Sequence, residues 1–239
     1  MKDVEYVIDD FDNDADDEDM AIETFVNSDW GSALGYFNGL GANLLHIAVE
    51  SKNIKLVDET IKMGADVNNT DLYGNTALFK CNCAEIIHKL LNSGCDPNLR
   101  NKQNEAAINM YLYKSELFHI LAPITNLDEK CGTFTILQYL IQNINTDCGT
   151  ISEAIKYTKD LDVVDSKNRS LLHMAAVKQK YWSVIDLLIS SGVNLYLKND
   201  EGKDFYDLCF KGVQTMIKKK YPDFIKNKEI NDDAEKYNL

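Results

Sequence analysis

Long hydrophobic runs are absent from this sequence. No window of the 239 residues approaches the ~20 uninterrupted apolar residues that a membrane-spanning helix needs. The first residues, MKDVEYVIDDFDND, contain neither a basic stretch followed by an apolar one nor a small-residue cleavage site, so we expect no signal peptide. These absences argue against any membrane association and predict a cytoplasmic protein.

Known catalytic and cofactor motifs are also absent. The sequence contains no Gly-x-Ser-x-Gly nucleophile motif, no Walker phosphate loop and no His-Glu-x-x-His zinc motif. Its four histidines are dispersed along the chain, at His46, His88, His119 and His173. We therefore expect a protein that is not an enzyme and that binds no cofactor.

Cysteine is present, but its spacing indicates neither disulfides nor a metal site. None of the six cysteines falls in the spacing of a secreted disulfide framework, so we expect reduced thiols. The best metal candidate is Cys81-x-Cys83, with His88 and Cys95 downstream. A zinc site needs four converging ligands. Two cysteines placed two residues apart on a predicted helix point to different faces, so we predict buried thiols.

Basic residues are too few to balance the acidic ones, and the acidic excess is concentrated at the start of the chain. The net charge is −13, and residues 1–20 contribute −9 because they contain ten acidic residues and one lysine, which leaves −4 for the rest. Nucleic acid requires a basic footprint on its protein partner. The distribution therefore argues against nucleic acid and favours a basic protein partner. We interpret the run 218–220, three lysines, as an exposed helix face.

A pattern recurs along the chain. It starts with GANLLHIA at Gly41 and with DLYGNTALFK at Asp71, so that Gly41 and Gly74 lie 33 residues apart. A later copy, NRSLLHMAA, starts at Asn168. The copies close on the similar elements GADVNNTD, GCDPNLRN and GVNLYLKN, whose first glycine is expected to end a helix with a positive φ. Such a period is typical of proteins built from stacked repeats.

The order of glycine, histidine, alanine, an aliphatic helix and a Gly-x-Asn close resembles the ankyrin repeat family. The resemblance implies an all-α fold, an ankyrin-repeat solenoid of stacked helix-turn-helix units with short hairpin loops. It also implies that His46 and His173 bond neighbouring backbone. The threonine–proline pair that usually opens the first helix is missing from every copy, but Thr76 and Ser170 are expected to cap their helices.

The copies divide the chain into predicted segments. Residues 1–19 are an acidic segment, and residues 20–39 are capping helices. The repeats occupy residues 38–222, as units at about 38–70, 71–100, 101–130, 131–164 and 165–198 followed by a cap at 199–222. Residues 223–239 are predicted to be a polar tail.

Proteins of the ankyrin family bind other proteins through hairpin tips and through a groove lined by the first helices. The resemblance therefore assigns the tips to Leu72, Tyr73 and Asn75, then Arg100, Lys102 and Gln103, then Lys167 and Arg169. The groove residues include Glu50, Ser51, Val177 and Lys178. Leu72 and Tyr73 either contact a partner or pack on the neighbouring hairpin.

Apolar residues are interleaved with the acids of the first segment, which leaves two interpretations open. The segment is either a disordered solubilising tail or an element that docks on a basic partner with electrostatically steered association. In the second case Asp9, Asp10, Phe11 and Asp12 are candidate contacts.

Two classes of function are consistent with these features. The first is a non-catalytic inhibitor of the immunity type, which binds and neutralises a basic protein or toxin and exists as a monomer or as a heterodimer with its target. The alternative is a viral or intracellular-bacterial adaptor that binds and modulates a host signalling protein. Charge, size and the lack of catalytic motifs favour the inhibitor.

Overall fold

The structure is a computed structural model, and it describes residues 43–143, 145–177 and 182–237. These residues form α-helices and 3-10 helices joined by turns, together with two isolated β-bridges, Thr70–Thr76 and Cys131–Phe134. The predicted all-α class is therefore confirmed. The predicted acidic segment at 1–19 and the predicted capping helices at 20–39 lie outside the described residues. Within the described ranges, no helix has the length and apolar character needed to cross a membrane.

The chain divides into two units, Met1–Lys102 and Gln103–Leu239. In the first unit the described helices are α1 (Leu44–Glu50), α2 (Ile54–Lys62), a 3-10 helix (Ala77–Lys80) and α3 (Ala84–Asn92). Asparagine side chains start α1 and α2, because Asn43 Oδ1 accepts from His46 N at 3.2 Å and Asn53 Oδ1 accepts from Leu56 N at 3.0 Å. Gly64 follows α2 with φ +89°, as expected for a glycine that ends a helix.

Helix α1 packs against α2 and against the 3-10 helix, and α2 packs against α3. The core between them is aliphatic and contains Leu45, Val57, Leu78 and Ile87, all buried. Val57 and Thr60 of α2 face this core, whereas Asp58 lies at its edge and accepts two hydrogen bonds from Lys89 Nζ on α3, at 2.9 and 2.8 Å.

Two local predictions in the first unit are wrong. The Thr76 side chain makes no capping hydrogen bond; the segment after it is a four-residue 3-10 helix, and its hydroxyl bonds with the Cys95 thiol instead. Cys81 and Cys83 do not share a helix either. Cys81 follows the 3-10 helix, Cys83 precedes α3, and the Cys81 thiol donates to the Cys83 carbonyl oxygen at 3.3 Å.

The second unit contains eight described α-helices and two 3-10 helices. The α-helices are α4 (Ser115–Leu121), α5 (Ile136–Gln142), α6 (Cys148–Tyr157), α7 (Leu171–Val177), α8 (Trp182–Ser190), α9 (Phe205–Leu208), α10 (Lys211–Lys220) and α11 (Pro222–Tyr237). The 3-10 helices are Ala107–Tyr111 and Ala122–Ile124.

These helices alternate between two layers. In the inner layer α5 packs against α7 and α7 against α9, and the 3-10 helix Ala107–Tyr111 packs against α4. In the outer layer α4 packs against α6 and α6 against α8. The core between the layers is apolar and fully buried, and it includes Phe118, Leu137, Ile151 and Leu188.

The segment predicted as a polar tail forms a helix instead. Pro222 closes the previous helix, as the sequence indicated, but it also begins α11, where proline suits the first turn. Phe224 on α11 is buried, and its ring lies 5.4 Å from the Phe205 ring and 5.6 Å from the Tyr196 ring. These contacts attach α11 to α9 and to the loop that precedes it.

Candidate protein-binding surface

The hairpin tip Asp71–Asn75 is held by a buried carboxylate. Asp71 Oδ1 accepts from Tyr73 N at 2.8 Å and from Asn75 N at 2.9 Å, and Asp71 N donates to the Asn75 carbonyl oxygen at 2.9 Å. Asp71 fixes the turn, because its short carboxylate side chain can accept hydrogen bonds from backbone N–H groups two and four residues ahead. The tip is therefore fixed by its own hydrogen bonds.

The next hairpin holds this tip from one side. Lys102 N donates to the Tyr73 carbonyl oxygen at 2.9 Å, and Asn101 Nδ2 donates to Asn75 Oδ1 at 3.0 Å. Gly74, at φ +80°, lies so close that a Cβ there would sit 3.0 Å from Lys102 N. Only glycine combines this positive φ with the lack of a Cβ atom, so any side chain at position 74 would push the two hairpins apart.

A buried histidine supports the tip from below. His46 Nε2 lies 2.9 Å from the Asn75 carbonyl oxygen, which can only accept, so this nitrogen carries the proton. Burial lowers the pKa of His46, although the bond to Asn75 opposes that effect. His173 repeats the contact in the second unit, with Nε2 2.9 Å from the Lys203 carbonyl oxygen. The expectation that both histidines bond neighbouring backbone is confirmed.

The tip presents two apolar side chains to solvent. Leu72 is 58% exposed and Tyr73 is 49% exposed, although the backbone of both is fixed. Such exposed fractions are typical of side chains that point into solvent rather than of side chains that pack on the neighbouring hairpin. A partner that covered them would gain apolar burial without having to order the loop first.

Other predicted tip residues of the first unit differ in their surroundings. Asn75 is half-buried, and its amide donates to Asp71 Oδ2 at 3.2 Å, so its side chain belongs to the internal network of the hairpin. Arg100 is half-buried, whereas Lys102 is exposed. Of this group, Lys102 is the one positively charged side chain that lies in the open beside Tyr73.

A second hairpin of the same design lies in the second unit. Asp165 Oδ1 accepts from Lys167 N and from Arg169 N, both at 2.9 Å, and Asp165 Oδ2 accepts from Arg169 Nε at 2.8 Å. Burial alone would raise the pKa of Asp165, but these bonds hold it below its usual value. Arg169 is thus committed to the hairpin, while Lys167 and Gln103 are exposed.

Several predicted contacts lie outside the described residues. They are Asp9, Asp10, Phe11 and Asp12 of the acidic segment and Lys178 of the predicted groove. Glu50, Ser51 and Val177 of the predicted groove are described, and all three are exposed.

Sequence reasoning did not single out three exposed side chains of the second unit: Met110 on the 3-10 helix Ala107–Tyr111, Tyr113 just after that helix, and Tyr139 on α5. The sequence does contain a pattern that indicates these three residues. Met110 and Tyr139 are each the fourth residue of an inner helix, and Tyr113 would be the seventh if its helix continued that far. Aligning the helix starts at Ala107, Ile136 and Leu171 would have revealed the shared face.

Two of the described cysteines, Cys95 and Cys209, are buried thiols. Burial raises the pKa of Cys95 to about 11 and that of Cys209 to about 12, so both thiols stay protonated near neutral pH. In the part of the chain that the structure describes, no three histidine, cysteine or acidic side chains converge as metal ligands.

The sequence matches the ankyrin repeat family at residues 40–72, 73–102 and 167–200. A palmitoyltransferase, AKR1, from the yeast Debaryomyces hansenii is 24% identical over 134 residues, which is 50% of this chain and 16% of the relative. A probable serine/threonine-protein kinase from Dictyostelium discoideum is 34% identical over 105 residues, which is 39% of this chain and 10% of the relative. The chain therefore spans only a small part of these two curated relatives.

Solved structures show the same fold. The human ASB11 ankyrin repeat domain has a TM-score of 0.62 at 23% identity, covering 80% of this chain and 87% of its own. A chain from the complex of the predatory endopeptidase Bd0816 of Bdellovibrio bacteriovorus with immunity protein Bd3460 has a TM-score of 0.57 at 22% identity, covering 70% and 90%. Three family matches and a fold shared with solved ankyrin repeat domains show that this chain contains ankyrin repeats, which indicate a protein-interaction module.

Proposed function

We propose that this protein is an inhibitor of the immunity type, which binds a basic protein and blocks its activity. The observation that carries the proposal is the separation of charge from contact surface. Residues 43–102, which include the Leu72–Tyr73 tip, contain seven acidic and seven basic residues and are neutral overall. Most of the net charge of −13 therefore lies in front of them, in the −9 of residues 1–20.

Such a separation suits two successive steps of binding. The acidic segment attracts a basic partner over a distance comparable to the Debye length, about 8 Å at physiological salt. The Leu72–Tyr73 tip then makes short-range apolar contact, which depends little on salt. One solved neighbour is a complex that contains an immunity protein, and this supports the inhibitory role for the present chain.

The test is a deletion of residues 1–19. Stopped-flow or surface-binding measurements of the intact and the shortened chain with the partner should show a slower association rate for the shortened chain. They should also show a weaker dependence of that rate on salt, because steering by long-range charge is lost. The dissociation rate should change little.

The matched control replaces Asp9, Asp10 and Asp12 by asparagine in the full-length chain. This variant keeps the length and the apolar residues of the segment, so a slower association would then come from charge alone. An unchanged association rate in both variants would remove the steering role.

The adaptor alternative predicts a different outcome for the partner. An inhibitor occludes the working surface of its target, so saturating amounts of this chain should abolish the target's activity. An adaptor modulates a signalling protein without blocking its working surface, so that protein should remain active in the complex, at an altered level. Assaying the purified partner with and without this chain separates the two.

A further inference from the structure

Helix α10 carries four lysines and no acidic residue, in a chain whose net charge is −13. On one side of the helix, Val213 and Ile217 are buried. Because successive residues of an α-helix are rotated by about 100°, Lys211, Lys218 and Lys219 lie close together around the opposite side. All three are exposed. The outer side of α10 is therefore a positively charged face.

The three lysines of this face lack the acidic partner that Lys220 has. Lys220, on the same helix, pairs with Asp186 of α8 at 2.5 Å. Among the described residues, no acidic side chain pairs with Lys211, Lys218 or Lys219. The helix macrodipole favours Lys218 and Lys219 in the last turn, but it disfavours Lys211 at the first position. The stability of the helix therefore does not account for the charged face.

Two exposed apolar side chains lie at the same face. Phe210, which precedes α10, is 44% exposed, and Met216 is 43% exposed. A Cβ at Gly212 would be 3.0 Å from Phe210 Cε2, so the ring lies along the helix where glycine leaves room for it. Met216 lies one helical turn from Gly212 and from Lys219. We call the following residues the cap patch: Phe210, Lys211, Met216, Lys218 and Lys219.

The composition of the cap patch selects the chemistry of its ligand. Three unpaired cations favour an anionic ligand, and the exposed Phe210 and Met216 are covered favourably only by apolar groups. Nucleic acid needs a larger basic footprint than three lysines. An anionic membrane surface would repel the rest of a chain with a net charge of −13. An acidic polypeptide with apolar side chains between its acids fits the patch best.

The chain itself contains such a segment. Residues 1–20 have ten acidic residues and one lysine, a net charge of −9, and the apolar Tyr6, Ile8 and Phe11 lie among them. The charge of this segment is opposite to that of the cap patch, and its apolar residues match Phe210 and Met216. A second copy can supply the segment while its own patch stays available to a third copy.

We infer that the cap patch binds residues 1–20 of a second copy, so that copies of this protein associate head to tail. The lysines attract the acidic residues, and apolar side chains from both copies are covered. The association should weaken as salt rises, because its charged groups are exposed and therefore screened. The inference goes beyond the proposed function, since no other protein takes part in this contact.

Sedimentation velocity on the full-length chain tests the inference. Over about a hundredfold range of concentration at low salt, the average mass should rise above that of the monomer, as mass action requires. The triple variant Lys211→Gln/Lys218→Gln/Lys219→Gln should weaken this association at least about tenfold, the loss expected for three exposed ion pairs. The chain without residues 1–19 should stay monomeric.

Mixing the two altered chains tests the contact directly. The triple variant keeps the acidic segment, and the shortened chain keeps the cap patch. At concentrations where neither associates alone, an equimolar mixture should therefore form a complex with one copy of each.

The matched control is Lys130→Gln/Lys159→Gln/Lys167→Gln, which removes three exposed lysines elsewhere and leaves the same net charge as the triple variant. It should associate as the original protein does, and thermal melting establishes that each variant is folded. A full-length chain that stays monomeric would overturn the inference, and so would a mixture without a complex or an equal loss in the control. No partner protein is present in these assays, so their failure would leave the proposed function standing.

Discussion

At the scale of single residues, the third position of α1 and of α7 ties one repeat to the next. His46 and His173 fill it in two repeats, and each reaches the carbonyl oxygen of a hairpin about one repeat further on. In α5 the same position holds Gln138, which is fully buried. Gln138 Oε1 accepts from Thr135 N at 2.9 Å, but Gln138 Nε2 has no partner among the described residues.

We therefore predict that Gln138→His stabilises the protein. The hairpin carbonyl oxygen that corresponds to those of Asn75 and Lys203 is that of Arg169, which already accepts from Asp165 N. Histidine at 138 would direct Nε2 toward it and would remove an unpaired buried donor, worth about 1 kcal/mol of unfolding free energy. Chemical denaturation measures the change.

His173→Gln is the reciprocal variant and should lose about as much stability, roughly 1 kcal/mol. Its bond to Lys203 makes it a direct test of what the contact contributes. A destabilised Gln138→His protein would mean that the glutamine site is shaped for an amide, and the comparison between repeats would then be wrong.

Asp165 gives a prediction about pH. Its pKa lies below the ordinary value, so the stability it contributes is fully present above about pH 4 and is lost as the pH falls through the folded pKa. Asp165→Asn should lower the unfolding free energy by about 2 kcal/mol near neutral pH, because charge-assisted bonds to Arg169 and Lys167 are weakened.

As the pH falls through the folded pKa of Asp165, the difference between this variant and the original protein should shrink, because the original carboxylate then becomes protonated as well. Glu229→Gln, on the exposed surface of α11, serves as the control and should change stability little at either pH. A difference that stays constant with pH would show that Asp165 acts through packing rather than charge.

Residue-scale features differ in how far the sequence predicts them. The roles of His46 and His173 follow from their place in a repeated motif, so one sequence is enough. The unpaired amide of Gln138 could not be predicted, because it depends on the distance to a hairpin one repeat away. Thr76 was misjudged for a related reason: its hydroxyl bonds with Cys95, which is distant in sequence.

At the scale of elements, the C-terminal helix is the largest departure from expectation. Lys228 on α11 is 12% exposed and pairs with Asp204 at 2.6 Å and with Asp207 and Asp232 at 3.1 Å. Burial alone would lower the pKa of Lys228, but the three carboxylates hold it above its usual value. The polar composition of residues 223–239 led to the prediction of a tail. In the structure, a polar residue of this segment, Lys228, makes contacts that attach the helix.

Lys228→Ala should therefore destabilise the protein by about 3 kcal/mol, because Asp204, which is 5% exposed, would be left without its cation. Phe224→Ala should cost a similar amount through the cavity it leaves among Tyr196, Phe205 and Tyr206.

Limited proteolysis followed by mass spectrometry measures the local effect, with earlier cleavage expected between residues 222 and 237 in both variants. Ile230→Ala on the same helix is the control, since its side chain is 56% exposed and should change stability by less than about 0.5 kcal/mol. Cleavage at the same rate in all three proteins would mean that α11 is not attached by these contacts.

At the scale of the whole molecule, the proposed function assigns partner contact to the Leu72–Tyr73 tip and long-range attraction to the acidic residues 1–20. The residue pattern was sufficient to predict the helical repeat class, because period, helix-ending glycines and hairpin residues all point to the same fold. It also predicted that Leu72 and Tyr73 lie in a hairpin tip, where both side chains are exposed; their contact with a partner stays a prediction. It did not reveal the exposed side chains of Met110, Tyr113 and Tyr139, which lie in repeats where the motif has decayed.

The most direct test of the binding role is the affinity of the isolated partner for the Leu72→Ala/Tyr73→Ala double variant. The partner is captured with the tagged full-length chain, purified and titrated by calorimetry against the original protein, the double variant and Ile230→Ala. We predict that the double variant binds at least about 30-fold more weakly, a loss of about 2 kcal/mol, with an unchanged melting temperature. Equal affinity for a fully folded double variant would contradict a binding role for the tip.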